Sequence, residues 1–253
     1  MSKAFIPYIM CGDPDLETSE KLIASLVEAG ADAIELGIPF SDPVAEGPVI
    51  QAASSRALQQ NVDANALFSL VEKVRKTYTI PLYVMTYSNV VFAYGIEKFV
   101  QRMQEVGLQG LILPDVPYEE KEEFDAICRK YQIDLISLIT LTSSSRLEKI
   151  AKKARGFLYC VSSLGITGTR ASLHEEIFDV IEQARDYTPI PCLIGFGISN
   201  AQQARQMARK SDGIIIGSAI VQLCEKYGRE APDLFICSQN RSGKRLQCNV
   251  SLF

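Results

Sequence analysis

Short apolar, β-rich runs recur along the whole chain, and each is followed by a stretch with the hydrophobic period of an amphipathic helix. The predicted strands cover residues 5–10, 33–36, 81–85, 110–113, 135–139, 157–161, 192–194 and 213–216. Eight strand-helix units in roughly 250 residues are typical of a (β/α)8 barrel. A doubly wound open sheet would alternate in the same way, but the chain has no G-x-G-x-x-G turn. We therefore predict an α/β fold, a single-domain (β/α)8 TIM barrel.

Several helix ends can be placed from local residues. Ser145 and Ser172, each followed three residues later by glutamate, fit the capping box that begins a helix. Gly30 and Gly107 close helical patterns a few residues before a strand, and they fit the glycine stop signal.

The composition excludes several classes of protein. With 253 residues and 47% hydrophobic residues, the chain can bury one large core. The chain has no run of about 18 apolar residues, so no membrane span is predicted. Its net charge of -4 does not indicate the positively charged surface that binds nucleic acid. The seven cysteines are scattered, without a C-x-x-C pair, so they predict reduced thiols, a cytoplasmic protein and no metal site.

Two connections are longer than the others. The step from the second strand to the third is about 48 residues, and the step from the sixth to the seventh is about 34. In a (β/α)8 barrel the loops that follow the strands form the catalytic face. Residues 37–60 and 162–173 are therefore predicted to form substrate-facing lids.

Two carboxylates mark the first of these loops. Glu35 ends an apolar strand, and Glu46 lies further along the Gly/Pro-rich segment that follows. An ionised carboxylate is costly to bury unless it is paired or used in chemistry, so Glu35 is a candidate general acid/base. The alternative is a strand-end acid that faces water or caps the loop.

Glycines follow the last two predicted strands. Gly195-Phe196-Gly197 ends the seventh strand, and Gly217-Ser218 ends the eighth and opens a helix. Backbone amides at glycines and at a helix N-terminus can bind an anion, and barrel enzymes often hold a substrate phosphate at this corner. A simple tight turn is the alternative at either site.

Several motifs in unbroken order carry a family resemblance. They are ELGIPFSDPVAEGPVIQ at 35–51, FIPY ahead of GDP at 5–14, YSN at 87–89, PDVP at 114–117, GITG at 165–168, GFGIS at 195–199 and GSAIV at 217–221. Over about residues 4–227 the chain resembles the alpha subunit of tryptophan synthase. The resemblance implies a barrel lyase that cleaves indole-3-glycerol phosphate to indole and glyceraldehyde 3-phosphate. It also implies an alpha-beta-beta-alpha tetramer with a pyridoxal-phosphate beta subunit, and no cofactor in this chain.

The resemblance assigns roles by motif position. Glu35 would be the acid/base, and Glu46 would stand where the family has an aspartate that accepts a hydrogen bond from the indole N–H. The other implied roles are catalytic support by Tyr159 and Thr167, phosphate binding by Gly168, Gly197, Gly217 and Ser218, an indole pocket of Tyr8, Met85 and Phe196, and contact with the beta subunit through Asp42 and Asp115. For the aromatic residues and Met85, core packing is the alternative.

Three departures from the family pattern are expected to matter. The longer Glu46 side chain puts turnover in doubt, because catalysis depends on the position of the carboxylate. The chain begins almost at the first strand, so we expect the family's leading helix to be lacking. We expect residues 1–235 to form the barrel and residues 236–253 a basic, disordered C-terminal tail.

Three functions follow from these residues. The first is the lyase, with Glu35 and Glu46 acting on indole-3-glycerol phosphate. The second is a catalytically impaired regulatory subunit that mainly activates the beta subunit. Another phosphate-sugar barrel enzyme, such as an epimerase or isomerase, would explain the phosphate corner but not the ELGIPFSDP motif.

Overall fold

The structure is a computed structural model of the chain, and it describes residues 3–161, 170–195, 198 and 201–235. Of residues 170–175 and 201 it describes the backbone. The predicted tail at 236–253 and the predicted lid residues 162–169 lie outside the described residues.

Nine parallel strands occur in the described part of the chain. They are β1 (Ala4–Met10), β2 (Ile34–Gly37), β3 (Leu82–Met85), β4 (Gly110–Ile112), β5 (Asp134–Leu135), β6 (Ser137–Ile139), β7 (Leu158–Val161), β8 (Cys192–Gly195) and β9 (Gly213–Ile216). All eight predicted strands are confirmed, but the fifth is divided into β5 and β6.

The divided strand closes the sheet. The sheet order runs from β5 through β4, β3, β2, β1, β9, β8 and β7 to β6, so β5 and β6 lie at opposite ends of the order. Ile136 alone separates them in the sequence, and its N–H donates to the carbonyl of Leu111 in β4 at 2.9 Å. The two halves therefore act as one barrel strand that pairs with β4 on one side and β7 on the other. The predicted (β/α)8 barrel is confirmed.

Helices cover the outside of the barrel between the strands. The described helices are α1 (Leu16–Glu28), α2 (Pro48–Gln59), α3 (Ala64–Arg75), α4 (Ser88–Tyr94), α5 (Ile96–Glu105), α6 (Glu122–Lys130), α7 (Leu147–Lys153), α8 (Arg170–Arg185), α9 (Ala201–Lys210) and α10 (Ser218–Tyr227). Short 3-10 helices cover Tyr118–Glu120, Leu141–Arg146 and Gly228–Phe235. Within the described ranges, no helix is long and apolar enough to cross a membrane.

Local residues explain where α1 begins and ends. The Asp15 side chain accepts a hydrogen bond from the N–H of Thr18 at 2.7 Å, which satisfies one free donor of the first turn. At the other end Gly30 has a φ of +92°, and the N–H groups of Gly30 and Ala31 donate to the carbonyls of Val27 and Leu26. This is a Schellman motif, and glycine suits it because a Cβ disfavours positive φ. Gly107 ends α5 in the same way, so both predicted stops are confirmed.

Two predicted helix starts are wrong. Ser145 lies inside the 3-10 helix Leu141–Arg146, where Thr140 and Ser143 form the capping box instead. Ser172 lies within α8, which begins at Arg170. In both places a short turn of helix precedes the predicted cap, so the serine does not occupy the helix boundary.

The predicted lid at 37–60 is only partly a loop. Its second half forms α2, which begins at Pro48 with Gly47 as N-cap. Proline suits the first position of a helix because the missing N–H would have no partner there. The irregular part of the connection is therefore residues 38–47, which include Asp42 and Glu46.

The hydrophobic core lies on both sides of the barrel wall. Leu36, Val84 and Leu111 are fully buried and adjacent in the register of β2, β3 and β4, and Leu158 is fully buried in β7. Five cysteines belong to the same core as buried free thiols: Cys11, Cys128, Cys160, Cys192 and Cys224. The prediction of reduced, buried thiols is confirmed for these five.

Candidate active site

Glu35 lies in β2 and faces the inside of the barrel. In the sheet register it is opposite Tyr8 of β1 and Tyr83 of β3. Its charge also acts on Tyr159 of β7, although β1, β9 and β8 separate β2 from β7 in the sheet. That interaction therefore crosses the interior of the barrel.

The environment of Glu35 is unusual for a carboxyl group. The side chain is 1% exposed, and neither carboxyl oxygen has a hydrogen-bond partner among the described residues. Burial, and secondarily the charge of Glu46, raise the pKa of Glu35 to about 8. The group is therefore mostly protonated at neutral pH, as a general acid must be. The alternative of a solvent-facing strand-end acid is wrong.

Two tyrosines fill the space around this carboxyl group. A Cβ on Gly37 would lie 2.2 Å from the hydroxyl oxygen of Tyr8, and one on Gly195 would lie 2.4 Å from Cε1 of Tyr159. Glycine at these two strand ends leaves room for the rings inside the barrel. Burial and the nearby carboxylates raise the pKa of both tyrosines, so their hydroxyls stay protonated.

Glu46 is held by a residue from another connection. The hydroxyl of Tyr87, two residues after the end of β3, donates a hydrogen bond to Oε2 of Glu46. That hydroxyl also accepts from the N–H of Ala45 at 3.0 Å, and its ring stacks on Phe40 with centroids 4.9 Å apart. Burial raises the pKa of Glu46, and the hydrogen bond from Tyr87 opposes that rise.

The loop that carries Glu46 is tied to α2. The hydroxyl of Ser54 accepts from the N–H of Phe40 and donates to its carbonyl, both at 2.8 Å. Gln51 donates from Nε2 to the carbonyl of Glu46 at 2.9 Å. These contacts and Tyr87 hold Glu46 in a defined position at the mouth of the barrel.

Part of the predicted phosphate corner lies at the same end of the barrel. Ser218 begins α10 with Gly217 as N-cap, and a Cβ on Gly217 would lie 3.2 Å from Cδ1 of Tyr8. The N-terminus of α10, with its free N–H groups, is therefore close to the interior that holds Glu35. Four other predicted site residues, Thr167, Gly168, Phe196 and Gly197, lie outside the described residues.

The remaining predicted residues occupy three different environments. Met85 is buried at the end of β3, opposite Gly37 in the register. Asp42 is exposed in the loop before α2. Asp115 accepts hydrogen bonds from the N–H of Ser88, at 3.0 and 3.1 Å to its two oxygens, and from the Ser88 hydroxyl at 2.6 Å. It thereby caps α4 from a neighbouring loop.

Sequence reasoning assigned no role to Tyr87. The residue belongs to the YSN motif and follows the end of β3, the edge where a barrel places its catalytic groups. The position of Tyr87 after a strand could have indicated a role at the site. Its hydrogen bond to Glu46 could not be predicted, because it depends on the fold of the loop at 38–47. Thr86 was also missed; it is 1% exposed, and its hydroxyl oxygen has no partner among the described residues.

The arrangement combines a protonated buried acid with a second carboxylate and a helix N-terminus. A family model described as tryptophan synthase alpha chain matches residues 1–245 of the chain. The chain belongs to the tryptophan synthase alpha chain family.

Relatives and solved structures agree with this family membership. The tryptophan synthase alpha chain of Lacticaseibacillus casei is 50% identical over 230 residues, which cover 91% of this chain and 86% of the relative. Tryptophan synthase subunit alpha of Legionella pneumophila superposes with a TM-score of 0.83 at 35% identity, covering 92% and 88% of the two chains. A chain of the tryptophan synthase complex of Pyrococcus furiosus gives a TM-score of 0.83 at 31% identity, covering 93% and 96%.

Proposed function

We propose that this chain is the alpha subunit of a tryptophan synthase and a carbon-carbon lyase. It cleaves indole-3-glycerol phosphate to indole and glyceraldehyde 3-phosphate by a retro-aldol reaction. The observation that carries the proposal is the Glu35 carboxyl group, which is buried inside the barrel in β2 and has a pKa of about 8.

The proton steps can be assigned to Glu35. In its protonated form it gives a proton to the indole ring carbon that bears the glycerol chain, so the ring becomes a cationic iminium. The resulting carboxylate then takes the proton from the glycerol hydroxyl next to that carbon. The carbon-carbon bond breaks, its electron pair returns to the indole ring, and Glu35 is protonated again. A pKa near the working pH suits a group that must act as both acid and base.

Glu46 stabilises the charge in the ring. Its carboxylate accepts a hydrogen bond from the indole N–H, which becomes more acidic as the ring carbon is protonated. The hydrogen bond from Tyr87 supports this role, because it fixes one oxygen and favours the charged form of Glu46. The other oxygen of Glu46 is the acceptor in this proposal.

The protein binds the substrate at two places, its phosphate group and its indole ring. The phosphate binds to the backbone amides near Gly217 and Ser218, at the N-terminus of α10. Gly168 and Gly197 complete the phosphate site by the family resemblance, and Thr167 supports the acid. Tyr8, Met85 and Phe196 line the indole pocket, while Tyr159 flanks Glu35.

A partner belongs to the same proposal. The solved relative from Pyrococcus furiosus is described as part of a tryptophan synthase a2b2 complex. We infer a complex of the same kind for this chain, in which Asp42 and Asp115 face the beta subunit and the beta subunit holds pyridoxal phosphate. A cytoplasmic location is part of the proposal and is supported by the buried free thiols.

A catalytically impaired regulatory subunit is the second candidate. It is favoured by Glu46, since the family aspartate at this position would carry its carboxylate on a side chain one methylene shorter. Displacement of a catalytic group by about 1 Å can cost roughly 10²-fold in rate. Activation of the partner depends on a coupling of about 1 to 3 kcal/mol between loop states and needs no proton transfer.

One pair of assays separates the two functions. Cleavage of indole-3-glycerol phosphate and activation of the beta subunit are measured for the parent and for Glu46→Asp. Cleavage by the parent at a rate well above background, raised further by the beta subunit, supports the lyase. If the parent activates its partner but cleaves only after Glu46→Asp, the regulatory function is correct. Absence of both activities in the parent would contradict both functions.

A further inference from the structure

A cavity lies beside the β5–β6 strand, and none of the residues that line it has a catalytic or substrate-binding role in the proposed reaction. Its volume is about 240 Å³, and it lies between the connection after β4, the strands β5 and β6, and the segment from Thr140 to Ile150. This volume is somewhat below the range of about 300 to 1,000 Å³ that holds drug-sized ligands. The cavity therefore fits a small metabolite, and nothing in the proposed reaction uses it.

Lys121 gives this cavity its chemistry. Its ammonium nitrogen donates to the hydroxyl of Ser137 at 2.9 Å and lies 4.9 Å from the centroid of the Tyr118 ring. Ser137 is 4% exposed, and all three residues line the cavity. Among the described residues, no carboxylate lies within ion-pair distance of Lys121. A partly buried ammonium without an anionic partner is costly, and an anion in the cavity would relieve that cost.

The charges of the lining favour an anion. Two lining side chains are cationic, Lys121 and Arg146, and one is a carboxylate, Asp115. The Asp115 carboxylate already accepts three hydrogen bonds from Ser88, and Arg146 donates to Glu119 at the rim at 2.7 Å. Of the two lining cations, Lys121 is therefore the one that can form an ion pair with a ligand. Burial lowers the pKa of Lys121, and the charge of Asp125, which lies beyond ion-pair distance, only partly opposes that shift.

The rest of the lining is largely apolar. Leu113, Val116, Leu135 and Ile150 line the cavity beside the polar groups. A ligand that fits must therefore combine one anionic group with a compact apolar body. We propose that this cavity is a second binding site, for a small carboxylate with an apolar body, in which Lys121 and Ser137 bind the carboxylate.

Benzoate is a suitable probe, because it has one carboxylate on a compact ring, and benzamide is its uncharged isostere. Isothermal titration of the full chain should show benzoate binding with a Kd of about 1 mM or tighter. Benzamide should bind about tenfold more weakly, because it cannot form a charge-assisted hydrogen bond with Lys121. Inorganic phosphate, which lacks the apolar body, should not compete with benzoate at this site.

Two variants assign the binding to this cavity and not to the proposed indole pocket. Lys121→Met keeps the apolar stem but removes the charge, so benzoate should bind about tenfold more weakly or not at all. Lys149→Met, an exposed position on α7 outside the lining, is the matched control and should bind benzoate as the parent does. If Lys121→Met does not fold, Ser137→Ala takes its place, with a loss of about threefold or more expected.

A crystal structure of the parent with benzoate completes the test. The carboxylate should lie within hydrogen-bond distance of the Lys121 ammonium and the Ser137 hydroxyl. Equal affinity for benzoate and benzamide, unchanged affinity in Lys121→Met, or benzoate seated only at another site would overturn the proposal. None of these results depends on whether the chain cleaves indole-3-glycerol phosphate.

Discussion

The carboxyl group of Glu35 is buried within β2 with neither oxygen hydrogen-bonded to a described residue. Such an arrangement costs stability whenever the group is charged, and a chain selected for stability alone would have an apolar residue there. The sequence indicated Glu35 as a candidate because an acid interrupts an apolar run, but the predicted strand-end position is wrong, since Leu36 and Gly37 follow it in β2. It could not predict the partner of Glu46, since the hydrogen bond from Tyr87 joins residues 41 positions apart.

The raised pKa of Glu35 has a consequence for stability. Between pH 4.5 and about 8 the folded chain keeps a proton that the unfolded chain has lost, so the free energy of unfolding falls as the pH rises through this window. At about 1.4 kcal/mol per pKa unit, the loss is roughly 4 to 5 kcal/mol above pH 8. Glu35→Gln removes the charge, so it should match the parent near pH 5 and be several kcal/mol more stable near pH 9.

Urea denaturation at the two pH values measures this difference. Glu28→Gln, an exposed position at the end of α1, is the control and should not change the pH dependence of the parent. If the difference in the free energy of unfolding between Glu35→Gln and the parent were the same at pH 5 and pH 9, burial would not raise the pKa of Glu35.

At the scale of elements, strands were predicted better than helix ends. All eight strand positions follow from short apolar runs, because a strand buried on both faces has few other sequences available to it. Helix starts depend on single residues and on the turn before them. The serines at 145 and 172 match the capping pattern, but a preceding 3-10 turn or an earlier helix start moved the boundary.

The glycines at strand ends position the tyrosines, and this can be tested at β8. A Cβ on Gly195 would lie 2.4 Å from the buried Tyr159 ring, so Gly195→Ala must displace that ring or the strand. We expect a loss of about 1 to 3 kcal/mol in the free energy of unfolding and a loss of cleavage.

Gly47→Ala is the matched control for this substitution. A Cβ there meets nothing within 4 Å, and only the weaker N-cap preference of alanine for α2 remains, so its stability should stay within about 1 kcal/mol of the parent. Denaturant titration of both variants gives the comparison. Equal stability of the two variants would mean that Gly195 is not needed to make room for Tyr159.

At the scale of the whole molecule, Arg56 of α2 joins the first and last units of the barrel. Its guanidinium donates to both oxygens of Asp13, after β1, at 2.8 and 2.9 Å, and to Glu225 of α10 at 3.1 Å. The Asp13 side chain is 2% exposed, and the Arg56 guanidinium is its ion-pair partner in this buried position. This contact could not be predicted from the sequence, because its three residues are far apart along the chain.

Removing Arg56 should therefore destabilise the barrel. Arg56→Met leaves a buried carboxylate without its partner, and we expect a loss of about 3 kcal/mol in the free energy of unfolding. Arg102→Met, which breaks ion pairs with the exposed Glu72 and Glu105, is the control with a loss of at most about 1 kcal/mol. Equal losses in the two variants, measured by urea denaturation, would show that the Arg56 pairing does not stabilise the barrel.

If Glu35 moves the protons in a carbon-carbon cleavage, its loss must slow the release of indole from indole-3-glycerol phosphate. The measurement compares the parent with Glu35→Gln, both in the presence of the cognate beta subunit. Loss of a general acid/base typically costs about 10²- to 10⁴-fold, so the variant should fall at least that far below the parent. Its affinity for glycerol phosphate should stay within a few-fold of the parent, because the phosphate binds at the N-terminus of α10. Indole release at the parent rate by Glu35→Gln would contradict the account and leave Glu35 as a buried structural acid.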